Sequence, residues 1–122
     1  MKTELSDVPF IQIPIEWVME LKGDDVKRML LLQWRFDFFA SLAFSEGRDL
    51  GMCFYESQER LATLFGMSTN SRTKVGEFLK RMEGMGFIST KRENYKEGGK
   101  TKTRLYIVVN NPAILSKYNL NR

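Results

Sequence analysis

Seven consecutive residues, Ser68, Thr69, Asn70, Ser71, Arg72, Thr73 and Lys74, carry side chains that all donate hydrogen bonds. Arginine grips a guanine edge or a phosphate with two parallel bonds, asparagine pairs with adenine, and hydroxyls suit phosphates or bases. If a helix starts within this run, its N-terminus also favours a phosphate. A second group follows at Lys91, Arg92, Lys96, Lys100, Lys102 and Arg104, with Asn94 and Tyr95 among them. Both groups suit a polyanion that presents hydrogen-bonding edges.

Other chemistry finds little support. The 122 residues include no histidine and one cysteine, Cys53, in the apolar run MCFY. A structural zinc site or a cysteine–histidine nucleophile pair therefore has no residues to build it. No GxxxxGK[ST] or GxGxxG pattern occurs, and no two acids are placed with an evident cleft. We expect no enzyme, no metal and no cofactor. A lone thiol fits burial in a reducing compartment. The start MKTELSDVPF lacks the features of a secretory signal, and no apolar stretch reaches membrane-span length, so a cytoplasmic, nucleoid- or plasmid-associated bacterial protein is expected.

Charge is uneven along the chain. Residues 1–56 hold six Lys/Arg against ten Asp/Glu, a balance of −4, while residues 57–122 hold thirteen against five, a balance of +8. An acidic half joined to a basic half is expected when one end faces a polyanion and the other does something else. A merely solvated basic surface would give the same count.

The elements that must position these groups follow from periodicity. Residues 8–14, VPFIQIP, read as an extended segment, and Pro14 opens a short helix to about Leu21. The longest helix starts at Asp24 or Asp25 and runs to about Phe44. It carries two apolar stripes: Met29, Leu32, Phe36, Phe39 and Ala43 on one side, Leu31, Trp34, Phe38 and Leu42 roughly opposite. One stripe covers the chain's own core. The other calls for a second cover, and a homodimer joined through Leu31, Trp34, Phe38 and Leu42 is the expectation. The alternative is a central helix wrapped by its own chain.

A short strand is expected at 51–55, then a helix at 58–65 with Ser57 as N-cap and Gly66 past its end. After a turn at 68–71, a helix running from Ser71 or Arg72 to Met85 buries Val75, Phe78, Leu79 and Met82. These four are core residues, not a ligand pocket, and the methionines are packing fillers. Glu77 and Glu83 are expected to turn away from phosphates or to pair with Lys80 and Arg81. Alternating runs at 87–93 and 103–109 form a hairpin with a long polar tip, NYKEGGKTK. Asn111-Pro112 caps a last short helix, and the end NLNR frays. Trp17 and Trp34 are core or dimer contacts.

The stretch LATLFGMSTNSRTKVGEFLKRMEGMGFISTKR resembles the winged helix-turn-helix of bacterial regulators, with Gly66, Ser68, Val75, Met82, Glu83, Gly86, Phe87 and Ile88 in the corresponding places. The resemblance covers roughly residues 51–109. It implies an α+β fold: one domain over residues 1–122, a helix-turn-helix at about 57–86, a wing hairpin at about 87–110, N-terminal helices and a long core or dimerisation helix. The turn at 68–71 is longer than usual for the family, which blurs the start of the recognition helix. The opening FIQIPIEWV is similar to the entry of plasmid and phage replication-initiator N-terminal domains. The size and layout also resemble TubR, the centromere-binding adaptors of plasmid partition.

These resemblances imply a homodimer that binds double-stranded DNA in plasmid or phage maintenance, as a partition adaptor or replication initiator, or as an autoregulating repressor. The implied further partner is a filament-forming GTPase or a replication protein. Two other readings stay open: a winged-helix protein–protein module docking through the acidic half, and a single-strand-binding replication accessory. The first has no need of cations on both helix and wing. The second usually shows exposed aromatics along a basic groove, where Tyr95 is the obvious one here.

Overall fold

The longest helix is the centre of the molecule because one side of it is apolar at every turn. In the computed structural model, which describes residues 12–118, this helix (α2, Asp25–Ser45) buries Met29, Leu32, Gln33, Phe36, Ala40 and Ala43. Before it lies α1 (Ile15–Glu20), which opens after Pro14, as a residue with φ already fixed near the helical value favours. After it come a 3₁₀ turn (Leu50–Met52), α3 (Gln58–Leu64), a second 3₁₀ turn (Thr69–Ser71), α4 (Arg72–Gly84), strands β1 (Ile88–Glu97) and β2 (Lys100–Val109), and α5 (Pro112–Lys117). The class is α+β, with five α-helices and a two-stranded antiparallel sheet among the described residues.

α3 starts at Ser57, whose hydroxyl accepts from the Arg60 N–H at 3.1 Å, and ends before Gly66, whose φ of +75° suits the residue past a helix end. α4 buries Val75, Phe78, Leu79 and Met82, as its spacing predicts. Phe65 of the preceding turn meets Phe78 edge-on at 5.3 Å. At Gly76 a Cβ would lie 3.2 Å from Nε2 at the end of the Gln58 side chain, which can shift to make room. Phe36, Phe54 and Phe78 are fully buried, and burying each side chain is worth roughly 1.5–3 kcal/mol.

Two expectations are corrected. Residues 51–55 do not form a strand. Asp49 accepts from the Gly51 N–H at 2.9 Å and winds the chain into the 3₁₀ turn, leaving a single bridge between Tyr55 and Tyr106. The hairpin also has no long tip. Its strands pair without a break from Ile88↔Val109 to Glu97↔Lys100. Gly98 and Gly99, at φ +60° and +79°, close it in a two-residue turn that needs left-handed backbone at both positions. The expected extended segment at 8–14 lies mostly outside the described residues, and the NLNR end lies wholly outside them.

A polar knot closes the side of α2 nearest α5. Asn111 donates to the Gln33 carbonyl oxygen at 2.9 Å and to the Gln12 backbone carbonyl at 2.6 Å, while its own oxygen accepts from the Ala113 N–H at 3.0 Å. Asn111 and Gln33 are both buried, and every buried side-chain polar atom among the described residues has a partner. Next to the knot, Asp37 accepts from the Tyr118 hydroxyl at 2.7 Å and from Lys117 at 3.2 Å. Removing Asn111 takes away the cap of α5 and leaves the buried Gln33 side-chain oxygen without its partner, while Gln33 Nε2 still donates to the Gln12 carbonyl. Asn111→Ala is expected to lower unfolding free energy by about 2–3 kcal/mol in urea titrations, given that a cap and an unsatisfied buried amide each cost about 1–2 kcal/mol.

Candidate nucleic-acid interface

Ser68 ends the approach to α4. Its hydroxyl accepts from the Asn70 N–H at 3.1 Å and its carbonyl from the Ser71 N–H at 2.9 Å, which folds the long turn into a 3₁₀ coil. That coil resolves where the second helix begins: at Arg72, with Ser71 as N-cap but giving no side-chain cap bond. Thr69, Asn70, Arg72, Thr73 and Lys74 are exposed, and Ser71 is half-buried. A shallow cavity of about 280 Å³ beside the turn joins Thr69 to Ser57, Glu59, Arg60 and Thr63 of the α3 region. Arg60 was not among the expected residues, and only the basic excess of the chain's second half pointed to it.

Four buried residues fix which side of α4 faces out. Thr73, Glu77, Lys80 and Gly84 lie opposite them and are exposed. The basic residues flanking this stripe have different fates. Arg81 clasps Asp25 of α2 with two bonds of 2.9 and 3.1 Å, and that hydrogen bonding pushes its guanidinium pKa up. Glu83 accepts from Thr90 of β1 at 2.7 Å, so it is occupied at the hairpin and does not pair with Lys80. Glu77 is exposed on this outward side, one turn before Arg81, and its charge also helps to raise the Arg81 pKa.

Alternation divides the hairpin into two faces. One carries Arg92, Asn94 and Lys96 opposite Leu105, Thr103 and Thr101, with Thr103 donating to Asn94 at 2.9 Å. The other carries Lys91, Glu93, Tyr95 and Glu97 opposite Tyr106, Arg104, Lys102 and Lys100. Lys91 lies 3.1 Å from Glu93, and Lys102 2.9 Å from Glu97. The Lys102 hydrogen bond pulls the Glu97 pKa down and pushes that of Lys102 up, so both stay charged near neutrality. Among the described residues Arg92, Lys96 and Lys100 are exposed and form no ion pair, as do Arg72 and Lys74 on α4. Arg104 is half-buried between tyrosine rings, its guanidinium 4.4 Å from the centre of Tyr55 and 4.1 Å from that of Tyr95.

On α2, the four residues expected at a dimer interface share one side: Leu31 is half-buried against the chain's own core, and Trp34, Phe38 and Leu42 are 42, 50 and 41 % exposed. Trp17 is instead a core contact, stacked on Phe87 at 4.4 Å. Among the described residues no helix is long and apolar enough to cross a membrane, and no group of three or more His, Cys, Asp or Glu could hold a metal ion.

No family model, no curated protein and no solved structure matches this chain. The functional reading therefore rests on the residues and their geometry.

Cys53 is buried, and its thiol donates to the Leu50 carbonyl at 3.3 Å. Burial, the largest influence, pushes its pKa up, and only the thiolate reacts with disulfide reagents. Native protein at pH 8 is expected to leave Cys53 unlabelled by a chromogenic disulfide on the time scale that labels it fully in 6 M guanidinium; equal rates would show that the turn at 50–52 opens freely.

Proposed function

We propose that this chain is a winged helix-turn-helix protein that binds double-stranded DNA through the N-terminal end of α4 and the β1–β2 hairpin. The observation that carries this reading is the placement of unpaired cations. Arg72 and Lys74 at the start of α4, and Arg92, Lys96 and Lys100 on the hairpin, are all exposed, and none is spent on an ion pair among the described residues. A helix about 10–12 Å across fits a B-DNA major groove about 12 Å wide, and its first turn meets the base edges. The hairpin beside it then meets neighbouring phosphates. The first half of the chain carries the acidic excess, and its Asp25 neutralises Arg81 of α4.

The proposed assembly is a homodimer packed through Leu31, Trp34, Phe38 and Leu42. Three large apolar side chains at 41–50 % exposure along one helix are more than a solvated face needs. A two-fold dimer places two α4 helices in successive major grooves, roughly 34–36 Å apart. The biological role within this reading is plasmid partition, replication initiation or autoregulated repression.

Arg72→Ala or Lys74→Ala is expected to weaken binding to the specific site by about 1–3 kcal/mol in fluorescence titrations, the range for loss of a base contact. Parent-like affinity for both variants removes α4 from the reading helix. Lys96→Ala and Lys100→Ala are expected to weaken binding to every sequence alike and to lower the salt slope by about 1 each. Lys102→Ala, already neutralised by Glu97, is expected to change less. Glu77→Gln removes an acid from the outward stripe and is expected to tighten binding at low salt. For the assembly, Phe38→Glu is expected to give a monomer by light scattering where the parent is a dimer; a monomeric parent at micromolar concentration excludes the proposed interface.

A further inference from the structure

One cation of the hairpin is built differently from the others. β2 has β1 on one side and the Tyr55 bridge on the other, so Arg104 has a tyrosine at each flank: Tyr95 from β1 and Tyr55 from the segment before α3. Both rings lie within stacking distance of its guanidinium, and Tyr55 is braced in turn by Tyr106, edge-on at 5.3 Å. The tyrosines around it, Tyr106 first, push the Arg104 pKa up, and a guanidinium is charged at any ordinary pH. Lysines at a hairpin tip must give up side-chain freedom to hold a ligand. Arg104 has already given it up.

Rings whose centres lie 4.1 and 4.4 Å from the guanidinium carbon restrict where the group can go, and its planar N–H groups suit an acceptor with two oxygens. We infer that Arg104 is a pre-set fork for a backbone phosphodiester of the bound duplex, with Tyr55 and Tyr95 as positioning residues that hold its plane. Tyr55 was absent from the expected site because its partners are remote in sequence. The inference rests on the duplex-binding reading and names an element within it. It gives the hairpin one geometrically defined phosphate contact besides the diffuse attraction of Lys96 and Lys100. A phosphate contact acts alike on all sequences, whereas a base contact discriminates among them.

The test is anisotropy titration of two unrelated labelled duplexes at several salt concentrations, with melting curves to show that each variant is folded. Arg104→Lys keeps the charge and removes the fork; it is expected to weaken both duplexes about two- to ten-fold while leaving the salt slope unchanged. Tyr95→Leu is expected to cost about two- to five-fold on both, the size of an exposed cation–ring contact, and Tyr95→Phe to behave as the parent. Tyr95→Leu added to Arg104→Ala is expected to cost nothing further, because the ring acts only through the arginine. Parent-like binding by Arg104→Lys overturns the fork, as does a full Tyr95→Leu penalty in the Arg104→Ala background. A loss confined to one of the two duplexes also overturns it, in favour of base reading. A parent that binds neither duplex at low salt overturns the duplex reading itself, whereas a binding parent with silent variants overturns the fork alone.

Discussion

Phe54 ties the hairpin to the helical body. Its ring is fully buried and stacks on Phe39 of α2 at 5.5 Å with Phe36 at 6.2 Å, while its backbone carbonyl accepts from Ile107 of β2 at 3.0 Å. One residue thus grips the helical body through its side chain and the sheet through its main chain. A lone two-stranded hairpin is marginal in water, and this one is held where its lower half meets the body. Ile88, Ile107 and Val109 go into the core there, while the upper strands stand clear in solvent. The orientation of the hairpin cations relative to α4 follows from that anchor together with the Thr90–Glu83 bond to α4 itself.

What the sequence made legible follows from where the physics is local. α4 was readable because its four buried residues recur at helical spacing and a glycine follows it. The caps at Ser57 and Asn111 were readable because a cap acts within three residues. The hairpin tip was not. Asn94, Lys96 and Glu97 have low strand propensity, and the residues around the two glycines look like loop. Pairing across ten registered residues overrode that preference, and the glycines supplied the backbone the turn requires. The error at 51–55 had the opposite origin: an apolar run read as strand, while the preceding Asp49 carboxylate coiled it.

The candidate site divides in the same way. The expected cations at 72 and 74, and those on the hairpin, were legible from type and clustering, and they are at the surface apart from half-buried Arg104. Which of them are already engaged was not, because Lys102 meets Glu97 and Arg81 meets Asp25 only once the chain is folded. The tyrosines around Arg104 belong to the same category. Such pairings separate a basic surface into charges that are committed and charges that remain available, a distinction composition does not carry. The apolar side of α2 is the converse: its two stripes were visible from spacing, and the chain covers one of them.

The two-glycine turn also governs parity. Side chains of a strand alternate in direction, so a shift of one residue between partners moves each to the opposite face. Here the two faces are not equivalent: one holds Arg92 and Lys96 without acids, the other holds the tyrosines, Arg104 and both glutamates. A single inserted residue in either strand would exchange them beyond that point, whereas an inserted pair would lengthen the hairpin and keep them. Length is therefore a quantity this element can vary in steps of two, at roughly 3.3 Å per residue, while the assignment of chemistry to each side stays constant. Homologous chains with longer or shorter hairpins should differ by even numbers of residues per strand.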